Sequence, residues 1–121
     1  MRFDVLTLFP ELFAPFLASG VTRRAYESKQ VEVVLWNPRD FAAGNYRRID
    51  DRPFGGGPGM VMMAEPLDAC LDAALAARGA PAPVVLFSPI GKTLDHAAVE
   101  AWSAGQGAVL VCGRYEGIDQ R

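Results

Sequence analysis

The segment Leu110–Asp119 carries side chains that could bind a ligand and take part in its chemistry. An apolar run ends there at Gly113-Arg114-Tyr115-Glu116-Gly117. The segment offers an arginine fork, an aromatic ring and two carboxylates, and its two glycines permit close approach of the backbone to a ligand. The alternative interpretation is a strand-end turn with exposed charge.

A second segment has the composition of a loop that closes over a bound molecule. It reads Asp50-Asp51-Arg52-Pro53-Phe54-Gly55-Gly56-Gly57-Pro58-Gly59-Met60. Its glycines remove the steric barrier to positive φ, and its two prolines limit the entropic cost of ordering the segment. A flexible hinge without ligand contact is the alternative, because glycine-rich segments are also common in linkers.

A third segment, Phe87-Ser88-Pro89-Ile90-Gly91, reads as a strand followed by a turn. A small hydroxyl, a proline and a glycine leave backbone amides and carbonyls accessible. Such groups can bind an adenine edge without a dedicated side chain. The neighbouring Gly91-Lys92-Thr93 is not a P-loop, because Leu86 stands where that motif requires glycine. Thr93 is instead predicted to cap a helix.

Metal and thiol chemistry receive little support from the sequence. His96 is the only histidine, which excludes multi-histidine metal sites, and we expect it at the surface. Cys70 falls on an apolar helical face and is predicted to lie in the core. Cys112 ends a strand without an evident base partner, so packing is favoured over nucleophilic catalysis.

The charge balance argues against a protein that coats nucleic acid. The formal net charge is −2 and the isoelectric point is about 5.3. Ten of the twelve basic residues are nevertheless arginines, whose planar fork suits phosphate or a guanine edge. Four of them cluster: Arg39, Arg47, Arg48 and Arg52. The alternative is a solvated loop neutralised by Asp40, Asp50 and Asp51.

The elements that must position these segments alternate along the chain. The predicted strands are Phe3–Leu8, Val31–Trp36, Val84–Phe87 and Ala108–Cys112. The predicted helices are Pro10–Leu17, Pro66–Arg78 and a short helix capped by Thr93 or Asp95 that packs Leu94, Ala98 and Trp102 inward. No periodicity holds over Arg39–Met60. This order predicts an α/β domain with a parallel sheet and helices on both faces.

Ligands of such sheets bind beyond the carboxyl ends of the strands. The sequence therefore predicts a site among the loops that follow Trp36, Phe87 and Cys112. The length of 121 residues is enough for one core, and no apolar run approaches the roughly 18 residues needed to cross a membrane. Two cysteines and no signal-peptide pattern favour a cytoplasmic location.

Together these segments resemble the bacterial tRNA (guanine-N1)-methyltransferases of the knotted SPOUT superfamily. The resemblance runs through the whole chain and is most specific at Asp50–Met60 and Cys112–Asp119. It also includes Leu8-Phe9-Pro10-Glu11, Gly20-Val21-Thr22, Pro38-Arg39-Asp40-Phe41 and Ser88-Pro89.

The resemblance implies a trefoil-knot domain that binds S-adenosyl-L-methionine and donates its methyl group to N1 of guanosine 37 in tRNA. The donor site would comprise Leu86, Phe87, Ser88, Pro89, Gly91, Gly113, Tyr115 and Gly117. Glu116 would lie beside the target guanine. The lid and substrate contacts would comprise Asp50, Asp51, Arg52, Gly55, Gly56, Gly57, Gly59 and Arg114. A homodimer and a Mg²⁺ requirement are also implied.

The sequence departs from the family pattern in three ways. Phe54 stands where tyrosine is usual, and Ile90 stands where glutamine is common. The third donor loop, the general base and the tRNA-binding domain of the family would all follow position 121. We therefore expect residues 1–121 to form an incomplete donor-binding domain without a completed knot and without activity. The alternatives are a non-catalytic RNA-binding module and a generic α/β nucleotide-binding domain.

Overall fold

The computed structural model describes residues 1–121 as an α/β fold. The strands are β1 (Arg2–Leu6), β2 (Glu32–Trp36), β3 (Asp50–Asp51), β4 (Val61–Met62), β5 (Val84–Leu86) and β6 (Gly107–Val111). The helices are α1 (Ala14–Ala18), α2 (Arg23–Glu27), α3 (Ala64–Ala76) and α4 (His96–Ser103), with 3₁₀ turns at Pro10–Phe13 and Pro38–Phe41.

Four strands form the predicted parallel sheet, in the order β2-β1-β6-β5. Leu6 lies opposite Trp36 on one side and Val111 on the other, and Leu86 lies opposite Val111. The carboxyl ends of all four strands therefore meet at one edge of the sheet. This arrangement confirms the predicted α/β class.

The core lies between one face of the sheet and α3. Leu6 and Val109 pack there with Cys70 and Ala74, all of them nearly inaccessible to solvent. The predicted apolar face of α3 is thus confirmed, although the helix begins at Ala64 and Pro66 occupies its third position rather than its first.

The opposite face of the sheet is covered less completely. Val5 and Ala108 are buried there, and Val85 lines a groove against α4 together with Ala98 and Trp102. Helices therefore lie on both faces, as predicted.

The cap of α4 was predicted at Thr93 or Asp95, and the second of these alternatives is confirmed. Asp95 caps the helix, because its Oδ1 accepts a hydrogen bond from the Ala98 N–H at 2.8 Å, whereas Thr93 lies before the cap. Leu94 precedes the first helical turn and remains 53% exposed, but it lines the same groove as Ala98 and Trp102.

The segment Arg39–Met60 is more ordered than its sequence indicates. It begins within a 3₁₀ turn that packs against α3, it buries Ile49, and it contains β3, which pairs with β4 in an antiparallel ribbon. Two-residue strands have no detectable periodicity, which explains why they were not predicted. The five-residue α2 was also not predicted, because none of its residues is buried and its sequence therefore shows no apolar face.

A buried carboxylate ties the amino-terminal end of the sheet to the end of α3. Asp4 is inaccessible to solvent and accepts hydrogen bonds from Arg2, from Trp36 Nε1 at 2.8 Å and from Arg78 Nη1 at 2.7 Å. Burial alone would raise the pKa of Asp4, but the hydrogen bonds from Arg2, Trp36 and Arg78 outweigh it and lower that pKa.

No helix in this structure is both long enough and apolar enough to span a bilayer.

Candidate functional site

A cavity of about 630 Å³ lies at the edge where the carboxyl ends of the strands meet. This volume falls within the usual range for small-molecule sites. Its walls come from the loop after β5, from the loop after β6 and from part of the glycine-rich segment. The lining residues are Pro53, Phe54, Val61, Leu86–Ile90 and Gly113–Gln120.

The structure brings most of the predicted donor residues together in this cavity. Leu86, Phe87, Ser88, Pro89, Gly113, Tyr115 and Gly117 line it, together with Arg114 and Glu116. Gly91 lies outside and lines the groove against α4 instead. The loop after Trp36 does not reach the cavity, because its 3₁₀ turn packs against α3. Two of the three predicted loops therefore form the site.

The loop after β5 is a tight turn that exposes apolar surface to the cavity. The Gly91 N–H donates to the Ser88 carbonyl at 3.1 Å, and the Ile90 N–H donates to Ser88 Oγ at 3.4 Å. Leu86 and Phe87 are each about half exposed. This wall can pack against a flat apolar ring and leaves polar backbone groups at its rim.

The loop after β6 holds a strained residue. Tyr115 has a φ of 60°, in the left-handed region that residues other than glycine rarely adopt, and its ring is half exposed on the cavity. Such a conformation costs on the order of 1–3 kcal/mol and is concentrated at functional sites. The loop is fixed by the Cys112 N–H, which donates to the Leu6 carbonyl at 3.0 Å.

Only part of the predicted lid reaches the cavity. Pro53 and Phe54 line it, and Gly59 contacts the Glu116 side chain. The remaining predicted lid residues lie outside the lining: Asp50, Asp51, Arg52, Gly55, Gly56 and Gly57. Asp50 and Asp51 are held in β3, and the three consecutive glycines all adopt positive φ. A Cβ atom added at Gly55 or Gly56 would meet no atom within 4 Å, whereas one at Gly57 would lie 3.9 Å from the Pro53 side chain. The lid is thus anchored at its two ends.

The arginine cluster is partly neutralised, as the alternative interpretation holds. Arg47 pairs with Asp40, and Arg48 pairs with Asp51 at 2.7 Å. The Arg52 side chain makes no ion pair. Arg39 makes no ion pair either, although its Nη1 donates to the Arg47 carbonyl at 3.2 Å, so Arg39 and Arg52 are the two members of the cluster without a counter-ion.

Arg114 has a partner that the sequence did not reveal. Its guanidinium carbon lies 4.6 Å from the centre of the Phe9 ring, and it forms no ion pair. Phe9 follows the end of β1, next to the cavity. The motif Leu8-Phe9-Pro10-Glu11 is part of the family resemblance, but nothing in it predicts a contact with Arg114. The two residues are far apart in the sequence and meet only in the folded structure.

Asp119 and Arg121 form a second contact that was not predicted. The hydrogen bonds from Arg121 lower the pKa of Asp119 to about 2, and the same guanidinium lies 4.4 Å from the centre of the Phe54 ring. Asp119 is therefore ionised near neutral pH and already engaged by a cation. Phe54 joins the lid to the loop after β6 through this stack.

Metal binding and thiol catalysis find no support at this site. No group of three or more histidine, cysteine or acidic residues is placed to hold a metal ion. Burial raises the pKa of the Cys70 thiol to about 12 and also raises the pKa of Cys112. Neither thiol is activated as a nucleophile. His96 lies at the surface, as expected, and contacts Glu100.

The parallel sheet and the cavity beyond its strand ends define the chain as an α/β ligand-binding domain. The family model described as "tRNA (Guanine-1)-methyltransferase TrmD" matches residues 1–121. The chain therefore belongs to the tRNA (guanine-1)-methyltransferase family.

Individual relatives agree with this assignment. The chain is 74% identical to a protein of Polaromonas sp. and 64% identical to one of Leptothrix cholodnii, both named tRNA (guanine-N(1)-)-methyltransferase. Both alignments cover the whole chain but only 48% and 49% of these relatives. The crystal structure of a tRNA (m1G37) methyltransferase from Aquifex aeolicus superposes with a TM-score of 0.86 at 34% identity, covering the whole chain and 54% of that structure. The chain thus spans about half the length of these relatives.

Proposed function

We propose that this chain forms the donor-binding part of an enzyme that transfers a methyl group from S-adenosyl-L-methionine to N1 of guanosine 37 in tRNA. The observation that carries the proposal is the cavity at the strand ends, which gathers seven of the eight expected donor residues. The family membership and the names of the relatives supply the reaction class.

The residues of the cavity fit the proposed donor. Leu86, Phe87 and Tyr115 offer apolar surface for an adenine ring, while the turn at Ser88–Gly91 offers backbone groups for its edge. When bound, the donor supplies an electrophilic methyl group on a sulfonium. The contribution of the chain is to hold the donor in one bent orientation, which lowers the entropic part of the barrier.

We propose that the general base is not among the residues of this cavity. Guanine N1 carries a proton that must leave as the methyl group arrives, which requires a base within hydrogen-bond reach. The Glu116 carboxylate already accepts from the Met60 N–H, and Asp119 is held by Arg121 with a pKa of about 2. We therefore place the base in the half of the relatives that these residues do not cover. Residues 1–121 alone would then not catalyse methyl transfer.

The proposal includes tRNA as substrate, a homodimer and a completed knot, all as the resemblance implies, and places the enzyme in the cytoplasm. The unpaired Arg52 and Arg114 could contact the phosphate or guanine of the substrate. The open space beside Gly55 and Gly56 fits a loop that is completed by tRNA or by a second subunit. Mg²⁺ has no part in the proposal.

Calorimetric titration tests the donor site. With the full-length chain, S-adenosyl-L-methionine should bind, whereas ATP and NAD should not. Residues 1–121 alone should bind it weakly. Binding of ATP or NAD instead would favour a generic nucleotide-binding domain. Salt-dependent tRNA binding without donor binding would favour a non-catalytic RNA-binding module.

A further inference from the structure

The Glu116 side chain extends across the cavity edge to the end of the glycine-rich segment. Its Oε2 accepts a hydrogen bond from the Met60 N–H at 2.6 Å. The backbones of the two segments are joined beside it, because the Glu116 N–H donates to the Met60 carbonyl at 3.0 Å and the Met62 N–H donates to the Gly117 carbonyl at 2.8 Å. The end of the lid and the loop after β6 therefore form one unit.

Gly59 makes room for this carboxylate. A Cβ atom added at Gly59 would overlap the Glu116 Cδ and both carboxylate oxygens. Gly59 also has a φ of +77°, so an L side chain there would be strained in addition. Gly55 has nearly the same φ, +83°, but an added Cβ there meets no atom within 4 Å. Substitution of Gly55 therefore introduces backbone strain alone, whereas substitution of Gly59 introduces similar strain and also fills the space of the carboxylate.

We propose that Glu116 is a positioning residue, whose carboxylate sits over Gly59 and bonds the Met60 amide to fix the lid against the donor loop. This role deepens the proposed function, on which its catalytic consequence rests. The group that matters is a hydrogen-bond acceptor at Oε2. A charged acid or base is not required for this role, so glutamine, whose side-chain oxygen also accepts, should replace it.

Amide hydrogen exchange of the full-length chain tests the contact without any activity. Glu116→Ala should speed exchange of the Met60 amide by roughly fivefold or more, as expected for loss of a charge-assisted hydrogen bond. Glu116→Gln should retain most of the protection. Unchanged Met60 exchange in Glu116→Ala would overturn the proposal.

A double-mutant comparison tests the role of Gly59. Gly59→Ala should speed exchange of the Met60 amide much more than Gly55→Ala does. In a Glu116→Ala background the carboxylate is absent, so Gly59→Ala should then have no larger effect than Gly55→Ala. Equal effects of the two glycine substitutions would overturn the proposal. If Gly59→Ala fails to fold, the Glu116 pair of variants still decides the matter.

Kinetics of the full-length chain separate this inference from the proposed function. Glu116→Ala should lower methyl transfer more than it lowers donor binding, and Glu116→Gln should restore most of the transfer. Loss of transfer in Glu116→Gln equal to that in Glu116→Ala would contradict a positioning role and indicate that the charge itself is needed. Absence of methyl transfer in the wild type, with the exchange results intact, would refute the proposed function but leave the contact standing.

Discussion

Arg114 lies over the Phe9 ring at the mouth of the cavity, without an acidic partner. An aromatic face holds a guanidinium in place but leaves its N–H donors free for a phosphate or a base edge. Arg47 and Arg48, by contrast, are each paired with an aspartate.

Replacing the Phe9 ring should weaken substrate binding through Arg114. We expect Phe9→Leu to raise the KM for tRNA by roughly twofold to fivefold, because a cation–π contact is worth about 0.5–1 kcal/mol at an exposed position. Steady-state kinetics of the full-length chain would measure this effect. Phe9→Tyr is the matched control and should behave like the wild type. The role of the ring would be contradicted if Phe9→Leu and Phe9→Tyr raised the KM equally. It would also be contradicted if Phe9→Leu raised the KM by the same factor in an Arg114→Ala background as in the wild type.

Asp4 should be the carboxylate most important for stability. Asp4→Ala leaves Arg78, whose side chain is only 4% exposed, without its counter-ion, and should lower the free energy of unfolding by about 3–5 kcal/mol. Asp51→Ala removes an exposed pair with Arg48 and should cost less than about 1 kcal/mol. Urea unfolding at pH 7 would compare the two variants. A cost for Asp4→Ala no larger than that for Asp51→Ala would be inconsistent with this account.

The contribution of Asp4 should depend on pH in a defined direction. The pKa of Asp4 is lowered in the folded state, so its stabilisation is complete above the ordinary value near 3.8 and is lost as the pH falls through the lowered value. The difference in unfolding free energy between the wild type and Asp4→Ala should therefore shrink in strong acid. A difference that stays constant from pH 7 to pH 2 would contradict the lowered pKa.

Among the elements, α4 is the helix that depends most on its cap, because none of its residues is fully buried. Asp95→Ala removes the side-chain acceptor of the Ala98 N–H and should lower the free energy of unfolding by about 1 kcal/mol. Thr93→Ala should have almost no effect, since Thr93 makes no capping hydrogen bond. Thermal or urea unfolding would distinguish them, and a larger effect of Thr93→Ala would show that the cap is misassigned.

The elements also show what the sequence could and could not predict. The period of apolar residues in α3 and the apolar strands of the sheet predicted their type and arrangement, because burial determines both patterns. The antiparallel pair β3–β4 was not predicted, since each strand has only two residues and no pattern of its own. The pair is held by its surroundings: Met62 forms a bridge with Ile118, and the Met63 N–H donates to the Ile49 carbonyl. The Phe9–Arg114 and Phe54–Arg121 contacts were missed because they depend on three-dimensional proximity.

For the molecule as a whole, the central fact is that these residues cover about half of their relatives. We predict that residues 1–121 alone show no methyl transfer to unmodified tRNA above background, whereas the full-length chain is active. Turnover by residues 1–121 comparable to that of the full-length chain would show that the general base lies within them.

The most direct test of the central claim is to identify the product of the full-length chain. Methyl-labelled S-adenosyl-L-methionine and an unmodified tRNA transcript would be incubated with the protein, and the modified nucleoside would be identified by mass spectrometry. The account predicts N1-methylguanosine at position 37, and no product from a transcript carrying adenosine there. A methyl group on a different nucleoside, or no transfer by a protein that binds the donor, would contradict it.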